Sequence, residues 1–306
     1  MPSVRAVMLV ALCVTAPAQA GEDAGAFASP LAQPKSMRQV GLPQAATKAA
    51  IPPDNPQTPE KVALGQHLFF DPRLSADGTI SCSTCHDPAR AFTDGKAVST
   101  GIAGRAGQRN SPTVLNALYN KFQFWDGRAA TLEEQAGMPI VNSVEMGQPN
   151  IAAAVAKIAA IPEYRQGFRR VFGAAPDAHN LVQAIAAYER TQVAFDSPFD
   201  RFIAGDGSAI DASARRGWEL FNTKANCNKC HALSETERDT TNFNDNDFHN
   251  IGIGIIRHDV VKLAAQARRL LASGDAAAID QAAIQTEMSA LGRFLVTKKE
   301  ATQRRH

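Results

Sequence analysis

The pentapeptide Cys-x-x-Cys-His occurs twice in this chain, at Cys82–His86 and at Cys227–His231. Two thiols at this spacing can form thioethers with the two vinyl groups of one haem, and the adjacent histidine can bind the iron as an axial ligand. A haem held in this way has to be enclosed by the surrounding chain. Each motif therefore constrains the fold around it.

Chance does not account for the two motifs. With five cysteines and seven histidines in 306 residues, random order would supply roughly 0.002 such pentapeptides. A zinc or thiol-redox site is the alternative, and it leaves both following histidines unexplained. We therefore predict two covalently bound haem c groups. Their attachment residues and iron ligands are Cys82, Cys85 and His86 in the first motif, and Cys227, Cys230 and His231 in the second.

Residues 1–20 have the pattern of a secretory signal peptide. Arg5 gives a positive start, an apolar run follows, and Ala18-Gln19-Ala20 is a small-x-small cleavage site. The run is too short to span a bilayer, and an uncleaved N-terminal anchor is the alternative. Cleavage would remove Cys13 and leave two cysteines for each haem. Because c-type haems are attached outside the bacterial cytoplasm, we expect a periplasmic mature protein without a membrane span.

Composition and breaker residues outline the domains. The formal net charge is +2, from 32 basic and 30 acidic residues without a basic tract, so no nucleic-acid partner is expected. Residues 21–56 are rich in proline and alanine, which predicts an extended arm. Gly205-Asp206-Gly207 predicts the boundary between an N-terminal haem domain at 57–205 and a C-terminal haem domain at 206–306.

Helical patterns cover most of the chain after the arm, and no convincing strand pattern occurs, so the predicted class is mainly α. Thr58 followed by Pro59 predicts a helix start. Asp177 predicts the start of a long helix whose apolar residues extend to Phe195, and Ser197-Pro198 is expected to end it. Further helices are predicted at 151–161, 162–172, 259–271 and 279–291.

Two similar segments precede the haem motifs. Gly65–Phe69 and Gly217–Phe221 share the pattern Gly-x-x-Leu-Phe. Five residues are a short repeat, but their place before both motifs favours two cytochrome c-like haem domains, each with helices around one haem.

An ordered series of further motifs surrounds the two haem sites. The first site is followed by Phe92–Gly95, Arg109–Thr113, Phe124–Arg128, Glu134–Ala136 and Val144–Met146, and the second by Phe248–Gly252. This series resembles the bacterial dihaem cytochrome c peroxidases and their MauG-type relatives. The likeness covers about residues 58–297.

The resemblance implies a periplasmic enzyme that reduces hydrogen peroxide to water. The N-terminal haem would be the peroxidatic one. The C-terminal haem would receive electrons from a small cytochrome c or a cupredoxin and pass them on. A homodimer is left open.

The resemblance also assigns roles to three side chains. Gln135 and Glu145 lie ten and twenty residues after Trp125. Glu145 would move a proton between the peroxide oxygens, Gln135 would orient the ligand, and Trp125 would mediate electron transfer between the haems. Without the resemblance, Gln135 and Glu145 would be interpreted as surface residues and Trp125 as a core aromatic.

Asn110 matches a family position that helps to bind a calcium ion between the haems. Its alternative role is that of a turn residue before Pro112. One oxygen ligand cannot form a calcium site, because calcium takes about six to eight.

Two departures from the family pattern concern iron coordination. Where relatives that need reductive activation carry a blocking histidine, this chain has Ile102, and no histidine occurs between His86 and His179. We therefore predict a permanently open distal side on the first haem, closer to the MauG type. In the second half, the Arg-Asn block that precedes the sixth ligand of the second haem is absent. The C-terminal domain is therefore expected to be incomplete, as in a truncated chain.

These patterns leave three functions open. A dihaem peroxidase is the leading hypothesis, because Trp125, Gln135 and Glu145 accompany the first haem motif. MauG-like oxidation of a partner protein is the second, because the blocking histidine is absent. A non-catalytic electron-transfer cytochrome, or a truncated remnant of a peroxidase, is the third.

Overall fold

The computed structural model describes residues 48, 50–233, 243–249, 251 and 258–297, all within one compact unit formed by residues 34–306. The predicted signal peptide and most of the predicted arm lie outside these residues. The described α-helices are Pro59–Phe70 (α1), Cys82–Cys85 (α2), Leu132–Val141 (α3), Ile151–Ala159 (α4), Pro162–Phe172 (α5), Ala178–Glu189 (α6), Pro198–Ile203 (α7), Ala212–Asn222 (α8), Val260–Ser273 (α9), Ala276–Gln285 (α10) and Arg293–Thr297 (α11).

The mainly α class is confirmed. Short 3-10 turns connect the helices, and the β pairing in the described residues consists of isolated bridges such as Asp87 with Thr93. None of the helices in this part of the chain is both long and apolar enough to span a bilayer. The two-domain division near residue 205 stays a prediction.

The core of the first half forms where α1 and α6 pack together. Thr58 caps α1 by accepting the Lys61 N–H at 3.2 Å, and Asp177 caps α6 in a capping box with Asn180. Both caps agree with the sequence prediction. The core side chains come from α1, α3, α4, α5 and α6 and include Leu68, Phe69, Ile140, Ile158, Phe168, Leu181 and Ile185.

Gly65 sets the distance between α1 and α6. A Cβ atom built on Gly65 would lie 1.8 Å from the carbonyl oxygen of Ala184 and 2.6 Å from its carbonyl carbon. Because no side chain fits there, the two backbones touch, and Leu68 and Phe69 on the same turn of α1 become fully buried. The helix pair is therefore a rigid wall for whatever lies beside it.

The second copy of this pattern is packed differently. Gly217 on α8 has no atom within 4 Å of its would-be Cβ, and the Leu220 side chain is 50% exposed. The aromatic residues around it do form a cluster, with the Phe199 ring centroid 5.0 Å from Trp218 and 5.2 Å from Phe243. The sequence repeat thus identifies similar helices but not similar surroundings.

The predicted helix from Asp177 to Phe195 is wrong in its second part. It ends at Glu189, and the chain then continues in extended form. The Asn116 side chain pairs with both backbone groups of Ala194, at 2.9 and 3.2 Å, and so replaces helical hydrogen bonds. Val193 and Phe195 are packed against Leu118 and Tyr119, so their apolar pattern reflects packing rather than helix.

Two further helix limits differ from the prediction. Ser197-Pro198 begins α7 instead of only ending a helix, because Ser197 caps it in a capping box with Asp200. The predicted helix 279–291 divides into α10 and a 3-10 turn at Glu287–Leu291. Gly274, with φ of +71°, ends α9.

Candidate haem and peroxide site

The first haem motif lies at the edge of the α1–α6 core. Its residues Cys82–Cys85 form the one-turn helix α2, which Ser81 and Thr84 close in a capping box. Both thiols are free and both line a large cleft. One helical turn brings two cysteines at this spacing to the same side, as attachment to one haem requires.

His86 is held in the orientation needed for an iron ligand. Its Nδ1 lies 3.1 Å from the carbonyl oxygen of Phe92, so Nδ1–H donates to that oxygen and the Nε2 lone pair is left for a metal. Burial lowers the pKa of His86, against the opposing effect of the carbonyls of Phe92 and Pro112. The imidazole is therefore held in its neutral, metal-binding form.

The second haem motif repeats this arrangement. The Nδ1 of His231 lies 3.1 Å from the carbonyl oxygen of Phe243, and a phenylalanine of the preceding helix lies 6.5 Å from each imidazole, centroid to centroid. Phe92 and Phe243 both have positive φ, at +58° and +50°, a conformation rare for bulky residues. The sequence patterns did not identify these two carbonyl acceptors.

The cleft brings together all the site residues predicted in the first half. Trp125, Gln135, Glu145 and Asn110 line it together with the first haem motif. Trp125 lies in a loop, Gln135 on α3, Glu145 in the loop after α3, and Asn110 in another loop. Cys227, Cys230 and His231 are not part of this cleft, so the two motifs belong to separate sites.

Glu145 lies half-buried in the wall of the cleft. Its Oε1 accepts a hydrogen bond from the Asn142 amide at 2.9 Å. Burial raises the pKa of Glu145, while the positive charge of Arg128 acts in the opposite direction. A raised pKa makes this carboxyl a better proton acceptor than an exposed glutamate, as a role in acid–base catalysis requires.

Trp125 lies at the mouth of the cleft, with 59% of its surface exposed, so the core interpretation is wrong. Its indole N–H donates to the Asn110 carbonyl at 2.8 Å. The next residue, Asp126, is buried between Arg109 and Arg128, at 2.6 and 3.0 Å. Burial would raise the pKa of Asp126, but the two guanidinium groups outweigh it and lower the pKa. The charged cluster thus fixes the loop that carries Trp125.

Arg293 of α11 holds the same loop from the other side. Its guanidinium donates to the carbonyls of Asp126 and Gly127, at 2.9 and 2.6 Å. It also lies over the Phe122 and Phe248 rings, 4.8 and 4.4 Å from their centroids. These contacts join the Trp125 loop to the C-terminal helices.

Ile102 occupies the place of the blocking histidine of relatives. Its side chain is buried and lies against Gly147, where a Cβ would meet Ile102 Cδ1 at 2.8 Å. Its backbone N–H donates to the Glu145 carbonyl at 2.9 Å. The residue therefore fixes the Glu145 loop and offers no iron ligand.

The residues of the cleft fit a covalently bound haem. The cleft contains about 1340 Å³ of empty space, part of it open to solvent. Two buried polar atoms of its lining residues, Arg128 Nε and Glu189 Oε2, have no hydrogen-bond partner. Together with two free thiols and an oriented imidazole, these features fit a large, mostly apolar group.

The calcium prediction has less support. The described residues include no group of three or more His, Cys, Asp and Glu side chains that could hold a metal ion. The side-chain amide of Asn110 donates to the Lys96 carbonyl at 2.6 Å. The backbone carbonyl of Asn110 accepts a hydrogen bond from the Trp125 indole N–H.

Comparisons of the sequence with known proteins agree on one protein family. Residues 59–208 match the family model described as di-haem cytochrome c peroxidase. The chain is 44% identical over 204 residues to the methylamine utilization protein MauG of Methylorubrum extorquens, covering 66% of this chain and 56% of that protein. It is 41% identical over 215 residues to the cytochrome c551 peroxidase of Pseudomonas aeruginosa, covering 67% and 60%.

Solved structures give the same result. A MauG-like protein associated with microbial copper homeostasis matches with a TM-score of 0.58 and 34% identity, covering 65% of this chain and 57% of that chain. The diheme peroxidase BthA from Burkholderia thailandensis matches with a TM-score of 0.55 and 30% identity, covering 62% and 54%. The chain thus spans little more than half the length of these relatives.

Proposed function

Because residues 59–208 belong to the di-haem cytochrome c peroxidase family, we propose that the haem-loaded protein reduces hydrogen peroxide with electrons from a small redox protein. The observation that carries this proposal is the convergence of Trp125, Gln135 and Glu145 on the cleft that holds the first haem motif. A purely electron-carrying haem needs no acid–base residue beside it.

The chain's own residues have distinct roles in this reaction. Cys82 and Cys85 attach the first haem and His86 Nε2 binds its iron, and that haem supplies the metal at which peroxide is activated. Glu145 takes the proton from the proximal peroxide oxygen and returns it to the leaving oxygen. The Gln135 amide orients the bound peroxide by hydrogen bonding.

Electrons reach the first cleft from the second haem in this proposal. Cys227 and Cys230 attach the second haem, and His231 binds its iron. Trp125 provides a polarisable ring for electron transfer between the haems. The donor is a small cytochrome c or a cupredoxin, and the reaction takes place in the periplasm after removal of the predicted signal peptide at residues 1–20.

The proposal is tested by variants that remove one attachment site at a time. The wild-type protein, produced with a haem-attachment system, is expected to carry two haems and to oxidise a reduced small cytochrome c when peroxide is added. The double variant Cys82→Ala/Cys85→Ala should retain one haem and lose all peroxide reaction. Its matched control, Cys227→Ala/Cys230→Ala, should retain peroxide binding at the first haem and lose cytochrome oxidation. A two-haem protein with no peroxide turnover would instead support an electron-transfer cytochrome.

A second candidate, MauG-like oxidation of a partner protein, is favoured by Ile102. Where a histidine would block the iron, the chain has a buried aliphatic side chain packed on Gly147. The first haem is therefore proposed to have a permanently open distal side.

Low-temperature EPR of the oxidised haem-loaded protein tests this open side. The expected spectrum contains a high-spin signal from the first haem without prior reduction. A wild-type spectrum with only low-spin signals would mean that a protein ligand closes the site, and would contradict the proposal. The variant Ile102→His, in which a ligand is offered at the same place, should convert the high-spin signal to a low-spin one.

A further inference from the structure

Glu189 is a buried acid of the first cleft that has no role in the mechanism above. It is the last residue of α6, is 6% exposed, and lines the cleft with Cys82 and Glu145. A fully buried carboxyl beside a redox site is uncommon, because acidic residues are seldom buried without a partner. The protonation state of Glu189 therefore depends on the groups around it.

The neighbours of Glu189 compensate a negative charge only in part. Its Oε2 is buried and has no hydrogen-bond partner. The adjacent cation, Arg190, donates instead to Glu133 at 2.7 Å, and Glu133 adds a negative charge nearby. The position at the C-terminus of α6 is also unfavourable for an anion, because the helix dipole is negative there.

The remaining charged groups around Glu189 lead to the same conclusion. Burial raises the pKa of Glu189 to about 8, with Arg190 acting against burial and Glu133 acting with it. Cys82 of α2 lies within electrostatic range, but its thiol is consumed when a thioether forms. Arg128 and Glu145 line the same cleft. The carboxyl is thus neutral in the haem-free protein at neutral pH.

We propose that Glu189 is a redox-linked proton-binding site, which takes up a proton from solvent when an electron enters the first haem and releases it when the electron leaves. In the uptake step the redox-protein donor is oxidised by one electron, the ferric haem is reduced to ferrous, and the Glu189 carboxylate becomes a carboxylic acid. Charge inside the cleft is then unchanged, which a low-dielectric site favours.

The sign of the coupling follows from the charge of the haem. A ferric iron in a porphyrin dianion has a net positive charge, which stabilises the carboxylate and lowers its pKa below the haem-free value of about 8. Reduction removes that charge and restores a higher pKa. Protons are therefore taken up with the electron between these two pKa values, and the midpoint potential falls as pH rises through that window.

The site would contribute to peroxide reduction, which consumes two protons with two electrons for each peroxide. Glu145 only moves a proton from one oxygen to the other. Glu189 would place an additional proton inside the cleft at the time the electron arrives. The inference rests on haem binding from the proposed function but not on peroxide turnover, so the two can fail independently.

Spectroelectrochemical titration of the first haem tests the proposal without any peroxide. In the haem-loaded wild type, the midpoint potential is expected to fall as pH rises toward the haem-free pKa of about 8 and to level off above it. In Glu189→Gln this dependence should disappear, and in Glu189→Asp it should persist over a displaced pH range. The matched control Glu163→Gln, which removes an exposed acid on α5, should keep the wild-type dependence.

Reduced-minus-oxidised infrared spectra give a second, independent measurement. A band of a protonated carboxyl is expected to appear on reduction and to be missing in Glu189→Gln. A wild-type potential independent of pH, a pH dependence lost in Glu145→Gln but kept in Glu189→Gln, or a spectrum without a carboxyl band would each overturn the proposal. Two of these outcomes, the pH-independent potential and the missing band, are measured on the wild type, so the proposal stays testable even if a variant fails to bind haem.

Discussion

Replacing Glu145 by glutamine is expected to lower peroxide turnover by about 10²- to 10⁴-fold, the usual contribution of a general acid–base group. The amide retains the size of the side chain and its contact with Asn142, which lies 2.9 Å away, but it cannot carry the proton. Steady-state oxidation of a reduced small cytochrome c measures the loss, and the haem spectrum checks that both haems remain attached.

The matched control for this variant is Glu163→Gln on α5, where the side chain is exposed and far in sequence from the cleft residues. Its turnover should equal that of the wild type. If Glu145→Gln also retains full turnover, the carboxyl does not move the proton, and another group in the cleft must do so.

Replacing Gly65 by alanine is expected to destabilise the fold by about 3 kcal/mol or more, at the upper end of the cost of overpacking a core. The added methyl would lie 1.8 Å from the Ala184 carbonyl oxygen, so α1 and α6 must separate. A loss of this size is a large part of the roughly 5–15 kcal/mol that stabilises a typical domain. Chemical denaturation followed by circular dichroism measures it.

The chain contains its own control for this prediction, because Gly217 is the equivalent residue of the second Gly-x-x-Leu-Phe segment. A Cβ on Gly217 meets nothing within 4 Å. Gly217→Ala is therefore expected to stabilise α8 by roughly 0.5–1 kcal/mol through helix propensity alone. Equal effects of the two substitutions would contradict the close contact of α1 with α6.

Features that depend on residues close together in the chain could be predicted from the sequence. The spacing of Cys82, Cys85 and His86 specifies haem attachment within one helical turn, and the caps at Thr58 and Asp177 depend only on nearby backbone groups. The same reasoning failed at Val193 and Phe195, because an apolar pattern records burial and does not distinguish a helix from an extended segment packed on the core.

The sequence by itself determined the mainly α class, and it predicted the haem-attachment motifs and, through the family resemblance, the residues of the first site. Only the tertiary structure decided that Trp125 is exposed, that Arg293 and Asp126 fix its loop, and that Glu189 is a buried carboxyl without a hydrogen-bond partner for Oε2. The physical reason is distance along the chain. Attachment and capping act over a few residues, whereas burial and the pKa of a carboxyl depend on groups that folding brings together from remote segments.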